Sequence, residues 1–599
     1  MGQPQVPLAA MSIQSAVKSP LSVTRPGAIL KRFSRKHLLG VTILTAFIAA
    51  LYSVFSLTYY IRFRTSAYDL VIFDQAIRSY SHFHLGISVI KGVHNGFGPH
   101  FSVLGDHFSP ILAAVAPLYW IYGGPQTLLV AQACLYALAI PPLWIFTRRA
   151  FGDGRKATIA AYLISAAYGL SWPLAAAAAF DFHEAAFAPV LTAIALERIQ
   201  AGRLRGAVIA LAGLLLIKED MGLLVAGIGV YLLVSMTPTL PRQRLVALAV
   251  MVGGVFYTMI AVYVLIPAFG GQQGYYWAYS TLGNNVPQVV GHILRHPIST
   301  FQTLFKPWVK GRTYKWLLAA FGFLPLLSPI TLAAIPLLLE RMLNDKFPSW
   351  WLLKFQYNSF ILMILVCAAV DTAVRIDRWA TKGLGALSAG PESSAHPVAD
   401  GVAESAGAPA SPALAVAPAG QDAGPAPEPV VAAPSGAALG LRGRGPGAGV
   451  IGLALCAAIL AANVIAIFAL PKSPLEQVFR PSFYEQTART RAATAALDKV
   501  PNGVVVEAAN DVGPQLSSRD TVLLWDGERK ALGAPWVVAD IQLHVMTFET
   551  LRAQVRRVDQ LVHSGEYKIV FQRDGYIVLH RVRGHFAGVN SLKAWRLVK

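Results

Sequence analysis

Apolar residues run in long blocks over most of this chain, separated by short basic or polar segments, and in short alternating runs near its C-terminal end. The block at 38–60 is long enough for a hydrocarbon core of about 30 Å, which needs ~20 helical residues. Lys31, Arg32, Arg35 and Lys36 precede it and place the N-terminus on the cytoplasmic side by the positive-inside bias. Further blocks lie at 125–147, 157–176, 185–197, 245–267, 314–330, 331–343, 356–374 and 449–470. The block at 206–236 would reach ~46 Å as one helix. Lys218-Glu219-Asp220 interrupts it, so it reads as two short spans joined at that triplet. The block at 109–122 is short for a span and reads as an interfacial or re-entrant helix. With that choice, Arg148, Arg149, Arg155 and Lys156 fall inside. The pattern predicts about 11 crossings, with the N-terminus in and the C-terminus out.

Three segments break this pattern. Residues 1–37 read as a disordered basic cytoplasmic tail. Residues 383–446 are Ala, Gly, Pro and Ser with few aromatics, a composition expected to form a disordered linker. Residues 471–599 carry β-branched runs at 504–506, 522–525 and 536–539, helical stretches near 484–499 and 546–563, and Asp574-Gly575 between two strand-like runs. That dipeptide is a strong hairpin signal. A small extracytoplasmic α/β domain with no evident catalytic residues is expected there.

Composition agrees with this reading. Of 599 residues, 55% are hydrophobic and 14% charged, with a mean hydropathy of +0.49. Soluble proteins carry about 25% charged residues, so an ordinary cytosolic enzyme is excluded. The net charge of +20 would suit nucleic acid in a soluble chain. Here it reads as basic loops that orient spans, and no nucleic-acid partner is expected. Cys134, Cys367 and Cys456 all sit in apolar runs, which excludes a disulfide framework and a cysteine-built zinc site.

The acidic minority is more informative. The expected topology, set by Lys and Arg, brings four clusters to the outer face: Asp69/Asp74, Asp106-His107, Asp181/His183-Glu184 and Lys218-Glu219-Asp220. Ionisable residues at membrane depth are costly and point to function. Each has a plain alternative: solvated loop charges, a cap for a helix starting near Ser109, a polar hairpin tip, an interfacial turn. Asp69 and Asp74 stand ~140° apart on a helix, so both need not serve one site. Carboxylates beside histidines suit a general base, or oxygen ligands for Mg²⁺ or Mn²⁺, with Asp69 and Asp106 as candidate ligands. In 268–312, Tyr275, Tyr276, Trp277, Tyr279, Trp308, Lys306, Lys310 and Arg312 would complement a lipid phosphate and a sugar, or anchor the loop at the interface.

The motifs Tyr68-Asp69-Leu70-Val71-Ile72-Phe73-Asp74-Gln75, Gly105-Asp106-His107-Phe108-Ser109-Pro110, Phe180-Asp181-Phe182-His183-Glu184 and Lys218-Glu219-Asp220 resemble a family of bacterial polytopic membrane proteins. That family is of unassigned function and is grouped by fold with the GT-C glycosyltransferases. The resemblance runs from about residue 60 to 375, and more weakly through the soluble tail. It implies a multi-span plasma-membrane protein that uses a polyprenyl-phosphate-linked sugar on the extracytoplasmic side. Asp69 would be catalytic base or metal ligand, with Asp74 the alternative and Asp106 and His107 in support. Asp181, His183, Glu184, Lys218, Glu219 and Asp220 would line the substrate pocket, Lys218 meeting the phosphate. Relatives often show His-Tyr before the late span. This chain has Phe355-Gln356-Tyr357-Asn358, so Tyr357 is the carried-over contact and the histidine is missing.

The expected fold is therefore an α-helical polytopic membrane protein, GT-C-like, with a small C-terminal α/β domain. The leading function is sugar transfer from a polyprenyl-phosphate donor to an extracytoplasmic acceptor. The alternatives are a transporter or flippase for a lipid-linked or anionic solute, and a non-enzymatic envelope scaffold. Paired repeats, which mark many transporters, are not visible.

Overall fold

A computed structural model describes residues 35–152, 154–235, 241–388, 449–470, 473–527, 533–545 and 547–584. Residues 1–34 of the expected N-terminal tail lie outside them, as does most of the expected linker, while residues 35–37 of that tail open the helix Arg35–Ile61. The part of 383–446 that is described belongs to a helix, Ser359–Ser388.

The described chain is mostly helical, with one small sheet. Five helical stretches are long and apolar enough to cross a membrane: Lys36–Ile61, Pro125–Phe151, Gln243–Ala268, Gln356–Thr381 and Val450–Ala469. Arg155–Gly169 and Trp172–Ala178 make a sixth if taken as one span bent by 41°. Leu204–Leu215 and Met221–Ser235 are shorter apolar helices, and Lys218-Glu219-Asp220 lies in the break between them. The block at 109–122 folds as a 3₁₀ helix, Pro110–Trp120, with Pro117 inside it.

Two expected elements differ from the structure. The block 314–330 is not one helix. Val309–Ala319 ends early, and short 3₁₀ turns at Leu324–Leu327 and Pro329–Ala334 follow. Pro325 and Pro329 lack the N–H that would continue the ladder. The loop 268–312 is also partly helical, at Val286–Arg295 and Pro297–Thr303.

The C-terminal sheet has strands β1 (Val505–Ala508), β2 (Thr521–Leu524), β3 (Trp536–Asp540), β4 (Tyr567–Arg573) and β5 (Tyr576–Arg581). Their spatial order is β2-β1-β3-β5-β4. The first three run parallel and β5 runs antiparallel to β3 and β4. Asp574 and Gly575 both take positive φ, 43° and 89°, as a two-residue turn with the twist of the strands requires.

Most of the sheet's buried residues belong to the same apolar cluster as the membrane helices, while Val505, Leu523 and Ala534 pack with Val89 in a second, smaller one. The loops after β1 and β2 reach segment 61–108, Asn510 accepting from the Ala67 N–H and Asp526 pairing with His94, and that segment is itself partly helical (Ala67–Val71, Ile72–Ser81, Val89–His94). Buried Gln75 ties three elements: its Nε2 donates to the Val522 carbonyl at 3.0 Å, and its Oε1 accepts from the Ile90 N–H at 2.9 Å. Gly513 lies so close to Ala67 that a Cβ there would sit 2.7 Å from the alanine methyl.

Candidate functional site

A tight turn after the first helix aims Asp69. The Ala67 N–H donates to the Asn510 carbonyl at 2.7 Å, and the Asn510 side-chain oxygen accepts from the Tyr68 N–H at 2.9 Å and the Ser66 hydroxyl at 3.1 Å. The Ser66 N–H donates to Asp181 at 2.8 Å. Asp69 then faces His183, Oδ1 to Nε2 3.6 Å. The His183 ring stacks on Phe180 and stands edge-on to Phe73, and the His183 backbone N–H donates to Gln132 Oε1 at 3.1 Å. Asp181 lies in the positive-φ region, and Gln132 Nε2 donates to its carbonyl at 2.7 Å. Burial, then the nearby Asp69 charge, pushes the Asp181 carboxyl far above its usual range.

Asp74 goes elsewhere. It accepts from the Tyr119 hydroxyl at 2.7 Å and pairs with Arg78 at 3.2 Å. Its side chain has no exposure, against 23% for Asp69. The two acids five positions apart thus face different neighbours, and Asp74 fastens helix Ile72–Ser81 to Pro110–Trp120.

A cavity of about 700 Å³ gathers two of the other clusters. Asp106, His107, Lys218, Glu219 and Asp220 line it, with Tyr275, Tyr276, Trp277, Tyr279, Glu340, Arg341 and Tyr357. His107 Nδ1 meets Glu219 at 2.7 Å, and Glu219 also accepts from the Phe108 N–H at 3.2 Å. Asp106 does not cap the helix at Pro110; it pairs with buried Lys91 at 2.9 Å and accepts from the Tyr276 hydroxyl at 2.5 Å. Lys218 lies 3.8 Å from Asp220 and 5.5 Å from the Tyr357 ring centroid, within cation–π range. Arg341 holds the rim through bonds to the carbonyls of Trp350 and Tyr357 and to Asn358.

Electrostatics divide these groups. Burial alone would raise the Asp106 carboxyl, but Lys91, His107 and the Tyr276 hydroxyl outweigh it and hold it below the usual value. Burial opposes the His107 imidazolium, yet Glu219 beside it raises the pKa above 6.5. Asp220 is pushed up to about 6, by burial ahead of every other cause. Lys218 stays cationic: burial would discharge it, but Asp220 and Glu219 outweigh that.

Asp69, His183 and Glu184 are not among the cavity-lining residues. Asp69 and Glu184 lie within electrostatic reach of the cavity residue Tyr357, as do Lys218 and Asp220. Trp308, Lys306, Lys310 and Arg312 do not line it either, and Lys310 is buried on the carbonyls of Thr303, Met342 and Asn344.

Sequence reading passed over Lys91, Glu340, Arg341 and Asn510. Glu340-Arg341 had a signal, a charged pair inside an apolar run. Lys91 and Asn510 had none, because their partners are distant in sequence. The donor set does not fit a divalent ion. Lys91 occupies the Asp106 oxygen, Asp69 faces an imidazole, and among the described residues no three His, Cys, Asp or Glu side chains are grouped to hold a metal.

Residues 59–386, more than half of the chain, match the model of the family described as "Predicted membrane protein (DUF2079)". The chain belongs to that family. The match takes in every residue of the cavity and stops before the sheet that supplies Asn510. No curated protein matches the chain.

Proposed function

We propose that this DUF2079 protein is an integral membrane glycosyltransferase, GT-C-like, that moves a sugar from a polyprenyl-phosphate donor to an extracytoplasmic acceptor. The observation that carries the reading is the convergence of Asp106-His107 and Lys218-Glu219-Asp220 on one tyrosine-walled cavity, with Asp69, paired to His183, in electrostatic reach of its Tyr357.

In this reading Lys218 and protonated His107 face the donor phosphate. The tyrosines and Trp277 pack against the sugar, as flat rings do against C–H faces. Asp69 takes the proton from the acceptor hydroxyl. The acceptor oxygen forms a bond to the anomeric carbon, the bond from that carbon to the phosphate oxygen breaks, and polyprenyl phosphate leaves with the electron pair. Asp69 suits the base role because it is the more accessible acid and has an imidazole rather than a Lys or Arg beside it, whereas Asp74 is held by Arg78 and Asp106 by Lys91. No step runs through a metal.

Purified full-length protein given radiolabelled polyprenyl-phosphate sugars tests the proposal. Transfer that disappears in Asp69→Asn supports it; equal transfer by wild type and Asp69→Asn removes the chemistry. Solute flux in proteoliposomes that depends on Glu219 and Asp220, without product, would replace it with a transporter.

A further inference from the structure

Residues 286–315 carry an exposed strip of apolar side chains with cations beside it. Helix Val286–Arg295 buries none of its residues, and its apolar positions Val286, Val289, Val290, Ile293 and Leu294 recur at helical spacing. Val286 and Val289 turn toward the cavity, while Val290 and Leu294 are exposed. The exposed apolar set continues through Ile298, Phe301, Phe305 and Trp308. Phe301 and Phe305 pack against each other with rings tilted by 55°, and Arg312 sits over the Trp308 ring at 5.2 Å. Water alone would not favour such a strip.

Charge says what covers it. No Asp or Glu occurs between Asp220 and Glu340. Within the segment, Arg295, Lys306, Arg312 and Lys315 are all exposed. The cations flank the apolar strip, with a tryptophan and an arginine together, which is the pattern of a helix lying in a membrane interface. The segment also starts shortly after the membrane-length helix Gln243–Ala268 ends, which brings it to a bilayer edge.

We infer that 286–315 docks on the surface of a bilayer bearing anionic phospholipid, with Leu294, Ile298, Phe301 and Trp308 among the acyl chains and Arg295, Lys306 and Arg312 on the phosphates. Because Val286 and Val289 form cavity wall, the docked segment holds one side of the cavity against the membrane. The inference does not depend on the reaction proposed above.

The test uses the full-length chain in nanodiscs, with an environment-sensitive fluorophore on Leu294→Cys in a Cys134→Ser background. Spin-labelled phosphatidylcholine and spin-labelled phosphatidylglycerol serve as quenchers. The expected result is stronger quenching by the anionic lipid. That preference falls about fivefold for each of Arg295→Gln, Lys306→Gln and Arg312→Gln. Raising the salt on the unmutated, labelled segment gives the same loss without any charge substitution. Equal quenching by the two lipids, or a preference indifferent to both salt and the three substitutions, overturns the inference. So does a label open to aqueous iodide in every bilayer, or one shielded only by added oligonucleotide.

Discussion

The side-chain oxygen of Asn510 accepts the backbone N–H of Tyr68 at 2.9 Å, across 442 positions of sequence. The residue that follows Tyr68 is Asp69, so a loop of the C-terminal sheet sets the direction of the acid assigned as base. Asn510→Ala removes this acceptor and the one for Ser66. At about 1 kcal/mol net per hydrogen bond, a loss of about 2 kcal/mol is expected. Amide exchange at Tyr68 should speed up and sugar transfer should fall. Asn510→Asp keeps both acceptors and should restore slow exchange. Unchanged Tyr68 protection in Asn510→Ala would show that the loop does not hold the turn.

Asp69 and Asp74 should separate in their effects. Asp69→Asn is expected to lower transfer by ~10²-fold or more, the scale of a lost general base, with little change in thermal unfolding. Asp74→Asn strips the partner from Arg78 in a buried site and should cost about 3 kcal/mol of stability. Unfolding and turnover measured on the two variants check this, and the reverse pattern would exchange the roles.

Binding of polyprenyl phosphate should weaken as pH rises, in two steps. Asp220, with its pKa raised to about 6, gains a negative charge as pH passes that value. His107, raised above 6.5, loses its positive charge at higher pH. For stability, the His107–Glu219 pair contributes fully below 6.5 and is lost as pH climbs through the raised folded value. Asp220 acts oppositely to an ordinary paired carboxylate: its ionisation costs the folded state, so its contribution declines as pH rises from 3.8 to about 6. Titrating ligand-induced thermal shifts should show the lower step vanish in Asp220→Asn and the upper in His107→Gln. A flat profile in the wild-type protein would contradict both assignments.

Lys91 and Asp106 should couple strongly. Either Lys91→Met or Asp106→Asn leaves a buried charge without its partner, for which about 3–5 kcal/mol is typical. The double variant should cost less than the two singles combined. A double-mutant cycle on denaturant unfolding in detergent measures the difference, and strict additivity would mean the pair is spent on nothing but packing.

Much of the helical layout was legible because a span must satisfy its own backbone and present apolar atoms to lipid. That local demand wrote itself into the blocks at 38–60, 125–147, 245–267, 356–374 and 449–470. It was less reliable where prolines crowd, as at Pro325 and Pro329, since local hydropathy does not report a broken hydrogen-bond ladder. The break at Lys218-Glu219-Asp220 was visible for the opposite reason: three ionisable residues cannot sit inside an apolar helix without a purpose.

The sequence by itself determined that this is a membrane protein with a small sheet-forming tail, and which charged residues call for explanation. Only the tertiary structure decided which of them meet. His107 finds Glu219, Lys91 finds Asp106, and Asp74 is withdrawn to Tyr119 and Arg78. Most of the sheet's buried side chains join the core of the helices, and the loop after its first strand holds the turn before Asp69. The physical reason is range. Hydropathy and turn chemistry act between near neighbours along the chain, whereas ion pairing and burial act between whatever the packed fold brings within a few ångströms.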